Sequence, residues 1–248
     1  MFPLTHIVLA KQVLAKENPQ TVLGSVFPDF AVFLKVGRNM AHEMGPDFFD
    51  FCCRYYPDHL DFALGILTHG TNLPGLDYYA DEAYDGKDVG YCFQRAEKIA
   101  EKVREVCRLP ENMALWKAHN FIEMSFEVLT AEKYPDIETR ALASFPGKEE
   151  SFCANVLSEY LDRPPADVFR MFQVVPEHFC FDGTDIPCMA KKYLDQLRRR
   201  HGIEADDVKG ATAIIEEGCD LVRPEYDSFM AFCQENVKKS LLPYLDQL

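Results

Sequence analysis

Apolar residues recur along this chain at intervals of three and four, and no segment alternates as a half-buried strand would. The spacing predicts helices over Thr5–Lys16, Pro46–Tyr55, Asp58–Gly70, Gly90–Cys107, Pro110–Glu132, Glu149–Leu161, Pro165–Gln173, Pro187–His201, Ala205–Val222 and Glu225–Leu245. Several begin with the expected punctuation, such as Pro57-Asp58, Pro110 and Pro165. Gly and Pro gather between them, in "HGTNLPGLDYY" and "CFDGTDIP". No repeat or low-complexity tract interrupts the pattern. The fold class is all-α, a multi-helix bundle with a metal site in its core. A boundary near Phe145-Pro146-Gly147 divides residues 1–145, a metal-binding bundle, from a C-terminal helical half at 146–248, unless the two form one domain.

The informative positions are those that break the apolar stripes. In the first helix Phe2, His6, Leu9, Ala10 and Val13 share a face, so His6 stands where Val or Leu would pack better. In "WKAHNFIEMSFE" His119 and Glu123 are four apart and project from one face, with Leu115, Trp116, Ile122, Phe126 and Leu129 around them. A buried carboxylate needs a partner. The partner is either His119 itself, as a core hydrogen bond, or a metal ion that both residues ligate. His69 ends a helix that is apolar nearly all round, and Gly65 one turn earlier leaves space beside its ring. The alternative for His69 is a simple helix C-cap. The turn from Gly70 to Gly75 then delivers Asp77. Asp29 follows Pro28 in "LGSVFPDF", between Phe27 and Phe30; its alternative role is an N-cap for a following helix. Taken together, three of seven histidines and two acids occupy apolar positions on several segments. Bundle cores build metal sites from facing helices, and divalent ions accept this His/Asp/Glu mixture.

Composition narrows the partners. The chain has 248 residues, 48% hydrophobic, with a net charge of −14. Such a field disfavours nucleic-acid duplexes and anionic membranes, although a bound cation reverses the local sign. No stretch has the apolar length of a membrane span, and the first residues do not read as a secretory signal. The nine cysteines are scattered, odd in number and form no C-x-x-C pair. They read as reduced, mostly buried thiols of a cytoplasmic protein.

The order "LTHIVLA", "LGSVFPD", "LTHG", "AHNFIE" resembles the zinc-dependent phospholipase C family, in particular its intracellular bacterial branch. The likeness covers roughly the first half of the chain. It implies an all-α bundle, up to three zinc ions and hydrolysis of phosphodiesters. His6 matches an early family His, Asp29 the acid of a Gly-x-x-x-Pro-Asp motif, His69 the first His of a central H-x-x-x-D, and His119 with Glu123 a late H-x-x-x-E. His42, in "NMAHEMG", matches more loosely a His that follows the Pro-Asp. Two departures stand out: Leu73 occupies the position of the central Asp, and only Asp77 appears where a second central His is expected.

The ligand set is therefore His6, Asp29, His69, His119 and Glu123, holding one or two divalent ions. Zinc comes first, with manganese, iron or nickel as alternatives. Asp29 and Glu123 are the catalytic carboxylates, Asp29 bridging ions or taking the proton of an activated water. The expected activity is metal-dependent hydrolysis of a small phosphoester, with neither nucleic-acid duplex nor integral membrane association. The competing expectation is a noncatalytic helical protein with a structural or vestigial metal site. The chain contains no H-E-x-x-H, E-x-x-H, G-x-S-x-G, P-loop or His-Asp dipeptide. Glu177–Asp185, with His178, reads as a surface loop.

Overall fold

The computed structural model describes residues 3–145, 147–178 and 185–247. Within them the chain folds into fourteen α-helices with no strand. They are α1 (Pro3–Leu14), α2 (Pro19–Phe30), α3 (Arg38–Glu43), α4 (Gly45–Tyr55), α5 (Leu60–His69), α6 (Tyr91–Ala96), α7 (Ala100–Val106), α8 (Ala114–Lys133), α9 (Ile137–Leu142), α10 (Lys148–Leu161), α11 (Pro165–Val174), α12 (Ile186–His201), α13 (Val208–Val222) and α14 (Tyr226–Leu245). A π-helical turn at Tyr78–Glu82 joins α5 to α6. Among the described residues no helix is long and apolar enough to cross a membrane. No disulfide forms among them, and six of the eight described cysteines are buried. Of the surface loop read at Glu177–Asp185, residues 179–184 and the side chains of Glu177 and His178 lie outside the described residues, as does Phe2 of the first stripe.

Two features of the helix pattern needed the structure. The segment that ends in Asp29 is itself a helix. Asn18 caps it reciprocally with Thr21, the Asn18 side chain accepting from the Thr21 N–H at 2.9 Å while the Thr21 hydroxyl accepts from the Asn18 N–H at 3.0 Å. Pro19 occupies the first turn, where its missing N–H costs nothing. Pro28 sits in the last turn, so α2 loses one hydrogen bond without breaking. Asp29 therefore belongs to the end of α2 and is not the N-cap of a following helix. The stretch 90–107 is likewise two short helices, α6 and α7, with a turn between them.

The core is organised around α1, α2, α5 and α8. α1 is not amphipathic: every residue from Pro3 to Ala10 is buried, because α2, α5, α8, α9 and α14 pack around it. Its first turn is held by a carboxylate from α8. Glu127 accepts from the Leu4 N–H at 2.8 Å and from the Thr5 N–H and hydroxyl, both at 3.2 Å. These donors are among those a helix start leaves unpaired, and the acid lies at the positive end of the dipole.

α2 and α5 pack most intimately, through facing glycines. A Cβ on Gly24 would lie 2.1 Å from the Phe62 carbonyl oxygen, and one on Gly65 would lie 2.6 Å from the Thr21 carbonyl oxygen. The space at Gly65 is thus taken by the α2 backbone and not by the His69 ring. This crossing brings the last turns of the two helices, with Asp29 and His69, into one region.

Candidate metal centre

Three imidazoles and two carboxylates converge where α1, α2, α3 and α5 meet the turn after α5. The Nε2 atoms of His6, His42 and His69 lie 3.3, 3.1 and 3.4 Å from the Asp77 carboxylate. The same three atoms lie 3.9, 3.7 and 3.8 Å from the Asp29 carboxylate. Asp29, His42, His69 and Asp77 offer ligand atoms all within 4.8 Å of one another, and this buried cluster could hold a metal ion. His6 reaches the same two acids from α1.

The backbone orients two of the rings. His69 Nδ1 donates to the Ser25 carbonyl at 2.7 Å, and His42 Nδ1 donates to the Arg38 carbonyl at 2.8 Å. Each bond fixes the tautomer that presents Nε2 to the acids, the outer-shell device typical of metal-ligating histidines. The Thr71 N–H donates to the His42 carbonyl at 2.8 Å and ties α3 to the turn after α5.

The fit to a cation rests on polar atoms left unsatisfied in the interior. His6 is 1% exposed and neither ring nitrogen makes a hydrogen bond to the described residues; nor does the His69 Nε2. Burial and the neighbouring His69 charge lower the His6 pKa to about 4, so its imidazole is neutral. Burial depresses His42 as well, but its hydrogen bonds with Asp29 and Asp77 outweigh this and raise it to about 10. Burial likewise pushes both carboxyls up, yet the facing histidines hold Asp29 and Asp77 below the ordinary carboxylate range. The neutral, buried His6 imidazole facing ionised acids is a donor for a divalent ion, and His42 would release its proton on binding one.

A second cluster adjoins the first. Asp81, His119 and Glu123 also offer atoms within 4.8 Å of one another. Asp81 lies one turn beyond Asp77, and α8 supplies His119 and Glu123. Asn120 Nδ2 lies 3.0 Å from both His119 Nε2 and the Glu123 carboxylate, while its oxygen accepts from the Tyr193 hydroxyl at 2.9 Å. The Phe93 ring stacks on His119 at 4.3 Å. Burial and the carboxylates of Glu123 and Asp77 raise Asp81 well above its ordinary value. Burial also pushes Glu123 upward, but nearby positive charge, His119 among it, and the Asn120 hydrogen bond bring it below its ordinary value. Burial lowers His119.

This cluster opens to solvent through a pocket of about 490 Å³, whose walls include Arg38, Asp81, Phe93, Trp116 and His119. Leu115 and Trp116, which share the His119 side of the helical wheel, are 40% and 47% exposed at this mouth and do not bury the pair.

The five ligands expected from the sequence thus fall in two groups: His6, Asp29 and His69 in one, His119 and Glu123 in the other. His42 joins the first group. Asp77 and Asp81 complete the two groups and are not in the ligand set expected from the sequence. Their signal was present: two acids at i and i+4 follow the turn that His69 begins, so both meet one side of a helical turn. Leu73 is only partly buried and packs on the apolar core, while Asp77, four residues on, faces His69. The chain matches no protein-family model, no curated protein and no solved structure.

Proposed function

We propose that the chain is a metal-dependent hydrolase of phosphoester bonds, acting on a small phosphodiester or monoester at the pocket beside His119. The observation that carries this reading is the pair of adjoining His/carboxylate clusters, one enclosed and one open to a pocket. His6, Asp29, His42, His69 and Asp77 would hold one ion; Asp81, His119 and Glu123 would hold a second. Zinc suits the His/carboxylate mixture, and manganese, iron or nickel are the alternatives. Bound divalent ions supply Lewis acidity toward a phosphoryl oxygen and lower the pKa of water.

The protein's own contribution is placement. Asp77, 3% exposed, faces three imidazoles and serves as a ligand. The Asp29 side chain is 34% exposed and is the more accessible acid of the enclosed cluster, so of the two it suits the role of a carboxylate shared between ions. Glu123, fixed by Asn120, belongs to the open cluster. The resemblance of the first half of the chain to zinc-dependent phospholipases C agrees with this chemistry.

The test is turnover of a chromogenic phosphodiester by protein purified without an affinity tag, with metal content measured on the same sample. Stoichiometric metal and turnover abolished by chelator are expected, with long duplex DNA a poor substrate at −14 net charge. Turnover that persists without metal would refute the reading. A noncatalytic structural site is the second reading, favoured by the enclosure of His6, His69 and Asp77, since structural sites are closed. It predicts bound metal without turnover on any phosphoester.

A further inference from the structure

The pocket beside the open cluster is acidic, and an anionic substrate must still enter it. Asp81, Glu82, Asp88 and Glu97 line it; among its described lining residues Arg38 is the one permanent cation. Arg38 opens α3, four residues before His42, and its carbonyl already orients that imidazole. Its side chain is 54% exposed, and its Nη2 donates to the Asp81 carboxylate at 2.8 Å. A guanidinium carries five N–H donors in a planar fork, and the rest of this fork makes no hydrogen bond to the described residues. The carboxylates of Asp77, Asp81, Glu123 and Asp29 all act on it electrostatically, so it stands near both clusters at once.

We propose that Arg38 is the residue that binds the phosphoryl group of the substrate, using its free N–H donors while Asp81 holds the fork in place. This rests on the hydrolase reading and assigns that site its anion-recognising side chain. Bidentate donation to two phosphoryl oxygens is what the fork geometry matches and what a lysine in its place would not reproduce. The alternative role is simple charge compensation of Asp81, with no contact to substrate.

The experiment is calorimetric titration of inorganic phosphate into full-length wild type, Arg38→Gln and Arg38→Lys, each loaded with zinc and assayed for bound metal, with KM and kcat measured on a chromogenic phosphodiester. The expected result is unchanged metal content, with phosphate affinity roughly tenfold to a hundredfold weaker in Arg38→Gln. Arg38→Lys should recover only part of it, and the loss should appear as a raised KM. Equal phosphate affinity in wild type and Arg38→Gln overturns the proposal. Loss of metal from Arg38→Gln in proportion to lost phosphate binding also overturns it, because Arg38 is then only a counter-ion for Asp81. If wild type holds metal and binds phosphate but hydrolyses no ester, the hydrolase reading fails while the phosphate titration still decides Arg38. Wild type that binds no phosphate, loaded or unloaded, overturns Arg38 directly.

Discussion

The imidazole of His6 lies flat on that of His69, with ring centroids 3.7 Å apart and planes within 5° of parallel. One ring comes from the first helix and the other from the end of α5, and their Nε2 atoms meet the same Asp77 carboxylate. Two stacked imidazoles resist being charged together, whereas a metal ion takes both as neutral ligands. Wild type should therefore gain stability from zinc or manganese, about 2.7 kcal/mol when the free ion is a hundred times its dissociation constant. His6→Ala and His69→Ala should lose most of that gain. Melting curves of each protein with chelator and with excess ion check this, each variant serving as its own baseline.

The two acids of the open cluster should respond differently to neutralisation. Glu123 is held ionised by His119 and Asn120, so Glu123→Gln should destabilise the chelated protein by about 1 kcal/mol or more. Asp81 is the acid that burial and its neighbours disfavour, so Asp81→Asn should be neutral or stabilising without metal. Both variants should weaken metal binding. Urea unfolding in chelator separates the two; equal costs would contradict the assignment.

Glu127 makes the stability of the unloaded protein pH-dependent. Burial pushes its carboxyl from 4.5 up to about 7, against the three hydrogen bonds it accepts from Leu4 and Thr5. The folded state thus holds a proton that the unfolded chain releases near pH 4.5. Its contribution is fully present below pH 4.5 and is lost as pH rises through 7. The loss is on the order of 3 kcal/mol at most. Glu127→Gln cannot titrate, so the stability difference between wild type and variant should shift against wild type from pH 5 to pH 8. Urea unfolding at both values, in chelator, measures it; a constant difference would show that Glu127 does not titrate in this range.

The α2–α5 crossing should control the site from a distance. Gly24→Ala places a methyl 2.1 Å from the Phe62 carbonyl oxygen and must push the helices apart. The cost should be about 1–3 kcal/mol. Asp29 and His69 lie at the ends of these two helices, so metal affinity should fall with stability. Ala63→Gly, also on α5, adds no methyl to the crossing; it should cost about 1 kcal/mol or more and leave metal affinity unchanged. Chemical denaturation and metal titration on both variants decide it.

The local pattern was sufficient for the fold class and for half of the site. Apolar spacing of three and four residues dictates helices whatever they pack against, and a His or acid inside an apolar stripe is costly enough to be visible in one dimension. That is why His6, His69, His119 and Glu123 could be read directly, and why Asp29 stood out between two phenylalanines. Where the helices went was decided by tertiary contacts. α2 was hidden by Pro28, which looks like a terminator but falls in the last turn, and by the polar start that Asn18 and Thr21 stabilise. Asp77 and Asp81 have apolar neighbours in Leu76, Tyr78, Tyr79 and Ala80, but they follow a Gly-containing turn whose path only packing fixes. Whether the five residues share one centre or divide between two was open in the sequence for the same reason. His119 and Glu123 lie on α8, and it is the placement of α8 against α1 and α6 that pairs them with Asp81 and a mouth open to solvent, apart from the enclosed group at the ends of α2 and α5. Periodicity records which side of a helix is buried; it holds no distance between two helices, and a metal centre is made of such distances.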